Sequence, residues 1–468
     1  MERNIRWKEV WQLISNEKFI RVKEIYLQCL LMGLVLRAIN FVSLLPSKYD
    51  GAVFTVLAAA GSIILFIDLI KNLLNRKFPY DKMLVFFVLV IILSTVMNRR
   101  YGMIPNLKLV VWSAIYYFLA YQFGKDFYKN ASFFKKISLT LICSWFLLVI
   151  SSLVMFFLNF GYEKFYSPRD RIRIGFLESR LFGVFGDPNY AATASVVIII
   201  LSVYYFIQSD NKLSKLFLSS NIFLQYLYIV LSGSRTAEVI AYVSIAITIS
   251  LLIFNLKRFE SWSFLYKLVL SVISIVLTVF IVHVFIDLTK FFFTELLELL
   301  KSRISDNNLA RNSQANSSLI RKDVAESNDV SNLRFSIWRS ALEIFSTSWI
   351  YGVSPKNLIP YAREYLPNGF IAQNGFIAHN SYINVLVSTG VLGAVSFFGF
   401  CFKNLFQIVK NINWLKLKID DFNFPYFLVV LSYAVFGLFN SEFVLEHTLG
   451  SLVFWLFLGR LMGRVKND

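Results

Sequence analysis

Long runs of apolar residues, separated by short polar and basic segments, are the dominant pattern of this chain. A hydrocarbon core about 30 Å thick needs roughly 20 apolar residues per helix, and it offers no partner to unpaired backbone groups. The pattern therefore predicts about twelve membrane-spanning helices. The predicted spans are 25–45, 53–70, 83–97, 107–123, 137–160, 189–207, 216–231, 236–254, 268–288, 381–401, 425–441 and 447–463.

Composition agrees with this prediction. Hydrophobic residues make up 57% of the 468, whereas soluble chains contain about 45–50%. Cys29, Cys143 and Cys401 lie in apolar stretches without paired spacing, so neither a disulfide framework nor a zinc site is predicted. We expect an all-α, polytopic membrane protein in three parts. They are helices one to nine (1–288), a large extracytoplasmic loop with amphipathic helices (289–380), and helices ten to twelve (381–468).

The distribution of Lys and Arg predicts the orientation. With a cytoplasmic N-terminus, the cytoplasmic segments carry 26 basic residues and the outer segments 20. Of those 20, five lie in loop 161–188, ten lie in loop 289–380 and one is Arg235, so only four remain elsewhere. The positive-inside rule then predicts that both termini are cytoplasmic. The basic excess in two outer loops indicates an anionic ligand there, whereas the net charge of +18 does not indicate nucleic acid.

The large loop 289–380 divides into three parts. Phe291–Ile304 continues the preceding span as an amphipathic extension. Ser305–Ser331 is polar and predicted to be flexible. Leu333–Trp349 places apolar residues at helical spacing, which predicts a helix lying at the membrane interface.

Four polar clusters fall in the predicted outer segments. They are 180–191, 232–236, 334–339 followed by 352–355, and 378–393. The second reads Ser-Gly-Ser-Arg-Thr, the third begins Arg-Phe-Ser-Ile-Trp-Arg, and the fourth contains His-Asn-Ser-Tyr. In this order they resemble the motifs of the O-antigen ligase and Wzy-type polymerase superfamily.

The resemblance implies a glycan donor linked through pyrophosphate to a polyprenyl lipid. Arg235 and Arg334 would hold the pyrophosphate with help from Arg180, because guanidinium offers a fork of donors to phosphate oxygens. Their fixed charge would also stabilise the leaving group, which removes the strict need for a metal or another cofactor. His379, the histidine of the two long outer loops, would take the proton of the acceptor hydroxyl.

Besides Arg235, Arg334 and His379, to which the resemblance assigns catalysis, six residues are candidates for substrate binding. They are Arg180, Asp187, Asn189, Arg339, Asn380 and Glu442. Structural interpretations compete with each role. Arg235 could anchor at the interface, Arg334 and Arg339 could form a solvated helix face, and the Asp187 and Asn380 segments could cap helices.

Three remaining features are left open by the sequence. His447 lies with Glu442 and Glu446 near a helix end, which indicates either a second contribution to the site or interfacial structure. His283 lies inside a span and is predicted to be a packing residue. Asp170, Asp187 and Glu178 leave a cation possible although neither outer loop has a DxD pair.

The resemblance thus implies a metal-independent membrane glycosyltransferase in a bacterial plasma membrane, and we expect a polysaccharide polymerase for O-antigen or capsule repeat units. A polymerase would pass the growing glycan to the sugar hydroxyl of a lipid-linked repeat unit. A ligase would pass it to a lipid A core or a protein, and a flippase or other transporter is the alternative from another class. Expected partners are the lipid-linked oligosaccharide, the bilayer, a chain-length regulator and a flippase.

Overall fold

The computed structural model describes residues 16–44, 47–166, 171–305, 319, 331–411 and 423–465. Helices dominate this part of the chain. They are α1 (Asn16–Arg37), α2 (Ser47–Leu74), α3 (Lys82–Met97), α4 (Ile104–Ala114), α5 (Tyr121–Asp126), α6 (Ala131–Phe157), α7 (Pro188–Gln208), α8 (Lys212–Ser232), α9 (Arg235–Asn255), α10 (Phe264–Ser305), α11 (Arg334–Thr347), α12 (Leu358–Tyr365), α13 (Phe370–Asn374), α14 (Ser381–Asn411), α15 (Phe424–Phe436) and α16 (Leu449–Val465). A π-helical segment, Ile115–Ala120, joins α4 to α5.

The helices begin where the sequence supplies a capping side chain. Asp81, Asn130, Asn211 and Ser234 each accept a hydrogen bond from a backbone N–H in the first turn of α3, α6, α8 and α9. Such a contact satisfies one of the donors that a helix start leaves unpaired. The polar residues between the apolar runs therefore set the helix boundaries.

Each of the twelve predicted spans coincides with helical structure. Among the described residues, seven helices are long and apolar enough to cross a membrane: Tyr49–Leu74, Ala131–Phe157, Pro188–Gln208, Lys212–Ser232, Arg235–Asn255, Phe264–Leu299 and Ser381–Asn411. Lys82–Met97 and Phe424–Phe436 are shorter apolar helices. The chain is therefore a multi-pass membrane protein, and the count of twelve spans stays a prediction.

The expectation of an all-α fold needs one correction. The segment between α6 and α7 forms a three-stranded antiparallel sheet of β1 (Gly161–Phe165), β2 (Arg171–Leu177) and β3 (Arg180–Gly183), in that order. In β2 the arginines are half-buried and the isoleucines between them are buried. This alternation with period two is the pattern of a strand with one face covered.

The predictions for the large loop are partly confirmed. The ninth predicted span continues through Phe291–Ile304 as part of the 42-residue α10. The helix predicted over Leu333–Trp349 is α11, whose buried residues include Ile337, Ala341 and Ile344. Its location at the membrane interface stays a prediction. The predicted polar stretch Ser305–Ser331 lies outside the described residues except for Ser305, Leu319 and Ser331.

The segment after α11 pairs with a break in α14. Gly390 has φ +63° inside α14, a conformation that favours glycine. On either side of the break, Val353 N donates to Val387 O at 3.0 Å and Val391 N donates to Trp349 O at 2.8 Å. The segment after α11 thereby satisfies the backbone groups that the break frees, and it holds the large loop against the helix that begins after His379.

Candidate functional site

Arg180 joins two of the four predicted clusters. It lies at the start of β3, where its Nε donates to the carbonyl of Ser232 at 2.8 Å and its Nη2 donates to Oδ1 of Asn189 at 2.7 Å. These contacts tie the sheet to the end of α8 and the start of α7. Arg180 therefore positions the turn that carries Arg235.

The turn between α8 and α9 presents Arg235 at a helix start. Gly233 ends α8 with φ 60°, and Ser234 Oγ accepts from Ala237 N at 3.3 Å as the cap of α9. Arg235 is the first residue of that helix and is partly buried. A helix N-terminus carries partial positive charge, and with a guanidinium beside it the turn suits a phosphate group.

His379 lies immediately before α14 in the left-handed conformation, with φ 46°. Burial lowers the pKa of its imidazole, and the positive charge of Arg334 lowers it further. A hydrogen bond to the Asn440 side chain and the carboxylate of Asp187 oppose that shift in the pKa. These four side chains therefore share one neighbourhood, in which a neutral imidazole is favoured.

The loop between α15 and α16, residues 437–448, contacts predicted site residues in α11 and in the segment just before α14. Arg334 Nε donates to the carbonyl of Phe439 at 3.3 Å, and Asn380 Nδ2 donates to the carbonyl of Leu438 at 2.8 Å. The Asn440 side chain is hydrogen-bonded to His379. Three successive loop residues, 438 to 440, therefore contact three predicted site residues. Sequence reasoning missed this role, since two of these three contacts are made by backbone carbonyls, which are present whatever the residue type.

Glu442 lies further along the same loop and is buried. Burial raises the pKa of its carboxyl well above the ordinary value, an effect that a hydrogen bond from Tyr190 opposes and the charge of Asp187 reinforces. The structure therefore brings Glu442 close to Asp187, in surroundings that raise the pKa of its carboxyl.

Asp187 and Asn380 both have capping contacts. Asp187 Oδ1 accepts from Asn189 N at 2.7 Å at the start of α7. Asn380 Oδ1 accepts from the backbone N–H of Tyr382 and Ile383 at 2.9 and 3.0 Å. Both residues thus fix helices that carry the site, and their contact with substrate stays a prediction, as it does for Asn189.

Arg339 and the other two histidines lie apart from this cluster. The Arg339 side chain is 84% exposed and pairs with Glu343 one turn along α11. The His283 side chain on α10 is 56% exposed, and its Nδ1 lies 3.3 Å from the hydroxyl of Tyr242. It therefore has a hydrogen-bond partner but is not enclosed by packing. His447 stacks on Trp112, with ring centroids 3.6 Å apart.

Through Arg180 and the start of α7, the electropositive turn of Arg235 is connected to the neighbourhood of Arg334 and the neutral imidazole. Such an arrangement can bind an anionic leaving group and accept a proton from a hydroxyl. Within the described residues, no group of three or more His, Cys, Asp or Glu side chains could hold a metal ion. Independence from metal stays a prediction.

Comparison with known families gives one match. A family model described as O-antigen ligase (Wzy_C) matches residues 220–398, a segment that includes Arg235, Arg334 and His379. No curated protein matches the chain. Residues 220–398 are therefore similar to this family, which confirms the resemblance to the O-antigen ligase and Wzy-type polymerase superfamily.

Proposed function

We propose that the protein is a polysaccharide polymerase on the outer face of a bacterial plasma membrane. It transfers a growing glycan from polyprenyl pyrophosphate to a sugar hydroxyl of the next lipid-linked repeat unit. A flippase would supply the units and a chain-length regulator would limit the product. The observation that carries the proposal is the convergence of His379 and Arg334, both in the segment that matches this family model, with Asp187 from the start of α7.

In the proposed step, the acceptor hydroxyl attacks the anomeric carbon of the donor sugar. A new glycosidic C–O bond forms as the bond to the pyrophosphate breaks, and His379 takes the hydroxyl proton. Arg235 and Arg334 stabilise the negative charge that gathers on the departing lipid pyrophosphate. Asn440, hydrogen-bonded to the imidazole, keeps the ring oriented as the proton moves.

An apolar cavity beside the turn of Arg235 supports a lipid donor. It has a volume of about 430 Å³ and lies among α7, α8, α9, α10 and α15. Glu238, one helical turn after Arg235, lines it and pairs with Lys290 at 3.0 Å. A pyrophosphate held by Arg235 would place an attached isoprenoid chain near this cavity.

A ligase is the second candidate, because the matching family model carries that description. The donor and the proposed roles of Arg235, Arg334 and His379 would be the same. The acceptor alone differs, being a lipid A core sugar or a protein rather than a lipid-linked repeat unit.

Surface polysaccharide from a deletion strain separates these functions. Loss of a polymerase leaves single repeat units attached to the final acceptor, which a gel resolves as one short band. Loss of a ligase leaves polymer on the polyprenyl lipid and none on the acceptor. Accumulation of unpolymerised lipid-linked units on the cytoplasmic face would instead indicate a flippase and contradict the proposal.

A further inference from the structure

A second cavity lies beside the catalytic cluster and has mixed polar and aromatic walls. Its volume is about 510 Å³, within the range of about 300–1,000 Å³ typical of small-molecule sites. The end of α1, the first half of α2, α4 and the loop 437–448 line it. None of the residues in the proposed catalytic step belongs to its lining.

The loop 437–448 connects the two sites. Its first part, Phe439 and Asn440, contacts Arg334 and His379. Its last part supplies Glu446 and His447 to the wall of the second cavity. A ligand in this cavity would therefore lie next to the segment that holds the catalytic base.

The end of α1 makes a second connection. Arg37 lines the cavity. Three residues later, Asn40 N donates to Val184 O at 2.6 Å and its side chain donates to Arg173 O at 2.6 Å. The side of the cavity that Arg37 lines is therefore held to the sheet and to the segment that leads into Asp187.

Aromatic rings form one wall. His447 stacks on Trp112, and Phe54 meets the imidazole edge-on with centroids 4.9 Å apart. Burial lowers the pKa of His447 to about 3, so its ring is neutral. Nδ1 pairs with the hydroxyl of Tyr116, whereas Nε2 is buried without a hydrogen-bond partner among the described residues. Tyr116 belongs to the π-helical segment, a distortion that is frequent at functional sites.

Charged groups of both signs complete the lining. Lys356 pairs with Glu446 at 2.8 Å and Arg37 pairs with Asp50 at 3.6 Å. Lys108 is exposed at the same cavity. Charged donors and acceptors beside aromatic rings match a sugar, which offers hydroxyl groups of both kinds and flat C–H faces.

We infer that this cavity binds a sugar of the acceptor glycan, beside the site that breaks the donor bond. The inference rests on the proposed polymerase function. It assigns the two substrates to separate places, with the donor lipid at Arg235 and the acceptor saccharide against Trp112 and His447.

Two substitutions test the cavity without touching the catalytic cluster. Gly51 lines the cavity, and a Cβ placed there meets nothing within 4 Å. A larger side chain can therefore begin at this position without a clash at its Cβ, and Gly51→Trp is chosen to occupy the cavity. Gly51→Ala is the matched control. His447→Phe keeps a ring on Trp112 while removing both ring nitrogens.

The probe is the repeat-unit oligosaccharide released from its lipid, titrated by calorimetry into the purified full-length protein in nanodiscs. We expect wild type and Gly51→Ala to bind it equally. Gly51→Trp and His447→Phe should each weaken binding by about tenfold or more and raise KM for the acceptor unit while donor binding is unchanged. Failure of wild type to bind, or wild-type affinity and acceptor KM in both variants, would overturn the inference. Chain extension by wild type, measured alongside, reports separately on the proposed function.

Discussion

At the scale of single residues, the site depends on a neutral imidazole held beside positive charge. His379 is not isolated: Asn440 and Asp187 favour its charged form, whereas burial and Arg334 favour the neutral one. A general base near its target typically contributes about 10²–10⁴-fold to a rate. The function of the cluster can therefore be tested one side chain at a time.

His379→Ala should lower chain extension by about 10²–10⁴-fold. Among the described residues, no other imidazole lies beside Arg334 and Asp187 to replace it. Donor binding should persist, since it rests on the arginines. His283→Ala is the matched control and should leave extension unchanged, since His283 is exposed on α10. Extension of purified lipid-linked units and binding of the donor are the two measurements. Near-normal turnover by His379→Ala would exclude it as the base.

The pH dependence of extension follows from the same residue. A base whose pKa is lowered stays neutral at pH values below its ordinary value of about 6.5. Extension should therefore hold as the pH falls through about 6.5 and decline only in more acidic solution. The measurement is kcat/KM against pH, checked for protein stability over the same range. An acid limb centred above the ordinary histidine value would contradict a buried His379 as the base.

The arginines of α11 offer a matched pair. Arg334→Lys keeps the charge but loses the planar fork and the contact to Phe439, so kcat/KM should fall at least about tenfold. Arg339→Lys, five residues along the same helix and 84% exposed, should retain normal extension. Both are compared at equal protein level in the membrane. Equal activity of the two variants would remove Arg334 from the pyrophosphate site.

At the scale of elements, the break in α14 fixes the geometry of the site. Segment 349–354 pairs with the backbone around Gly390, which docks the loop carrying Arg334 beside the helix start carrying His379. A Cβ on Gly390 would lie 2.3 Å from the carbonyl oxygen of Ile350. The φ of 63° and ψ of −165° at Gly390 lie in a region that glycine almost alone adopts, at a cost of about 1–3 kcal/mol for any other residue.

Gly390→Ala should therefore destabilise the protein and lower its activity together. Gly399→Ala is the control in the same helix, where the nearest atom to the added Cβ is Met83 Sδ at an ordinary 3.5 Å. Thermal unfolding in detergent should show a lower midpoint for Gly390→Ala and an unchanged or slightly higher one for Gly399→Ala. Equal midpoints would show that the break does not depend on glycine.

The sequence predicts elements better than it predicts their contacts. Each apolar run that predicted a span overlaps helical structure, because hydrocarbon permits few other structures. The sheet was missed although Arg171–Ile174 alternates with period two, since three short strands give a weak signal beside long apolar runs. The candidate residues were named from motifs. The role of loop 437–448 depends largely on the carbonyls of Leu438 and Phe439, which leave no pattern in the sequence.

At the scale of the whole molecule, the proposal requires the site to face away from the cytoplasm. Single cysteines at Lys212 and Arg339, in a background lacking Cys29, Cys143 and Cys401, report the side of each segment. A membrane-impermeant maleimide should label position 339 in whole cells and leave position 212 unlabelled, as the distribution of basic residues predicts. Labelling at position 212 with none at position 339 would show the opposite orientation and contradict the proposal.

The central claim is that this one protein joins lipid-linked repeat units at the cluster of Arg235, Arg334 and His379. Its most direct test is reconstitution of the purified protein in liposomes with lipid-linked units alone. We predict a ladder of longer lipid-linked chains, with one polyprenyl pyrophosphate released for each bond formed, and no ladder with His379→Ala. Unchanged units with wild type, or transfer only after a lipid A core is added, would contradict the claim.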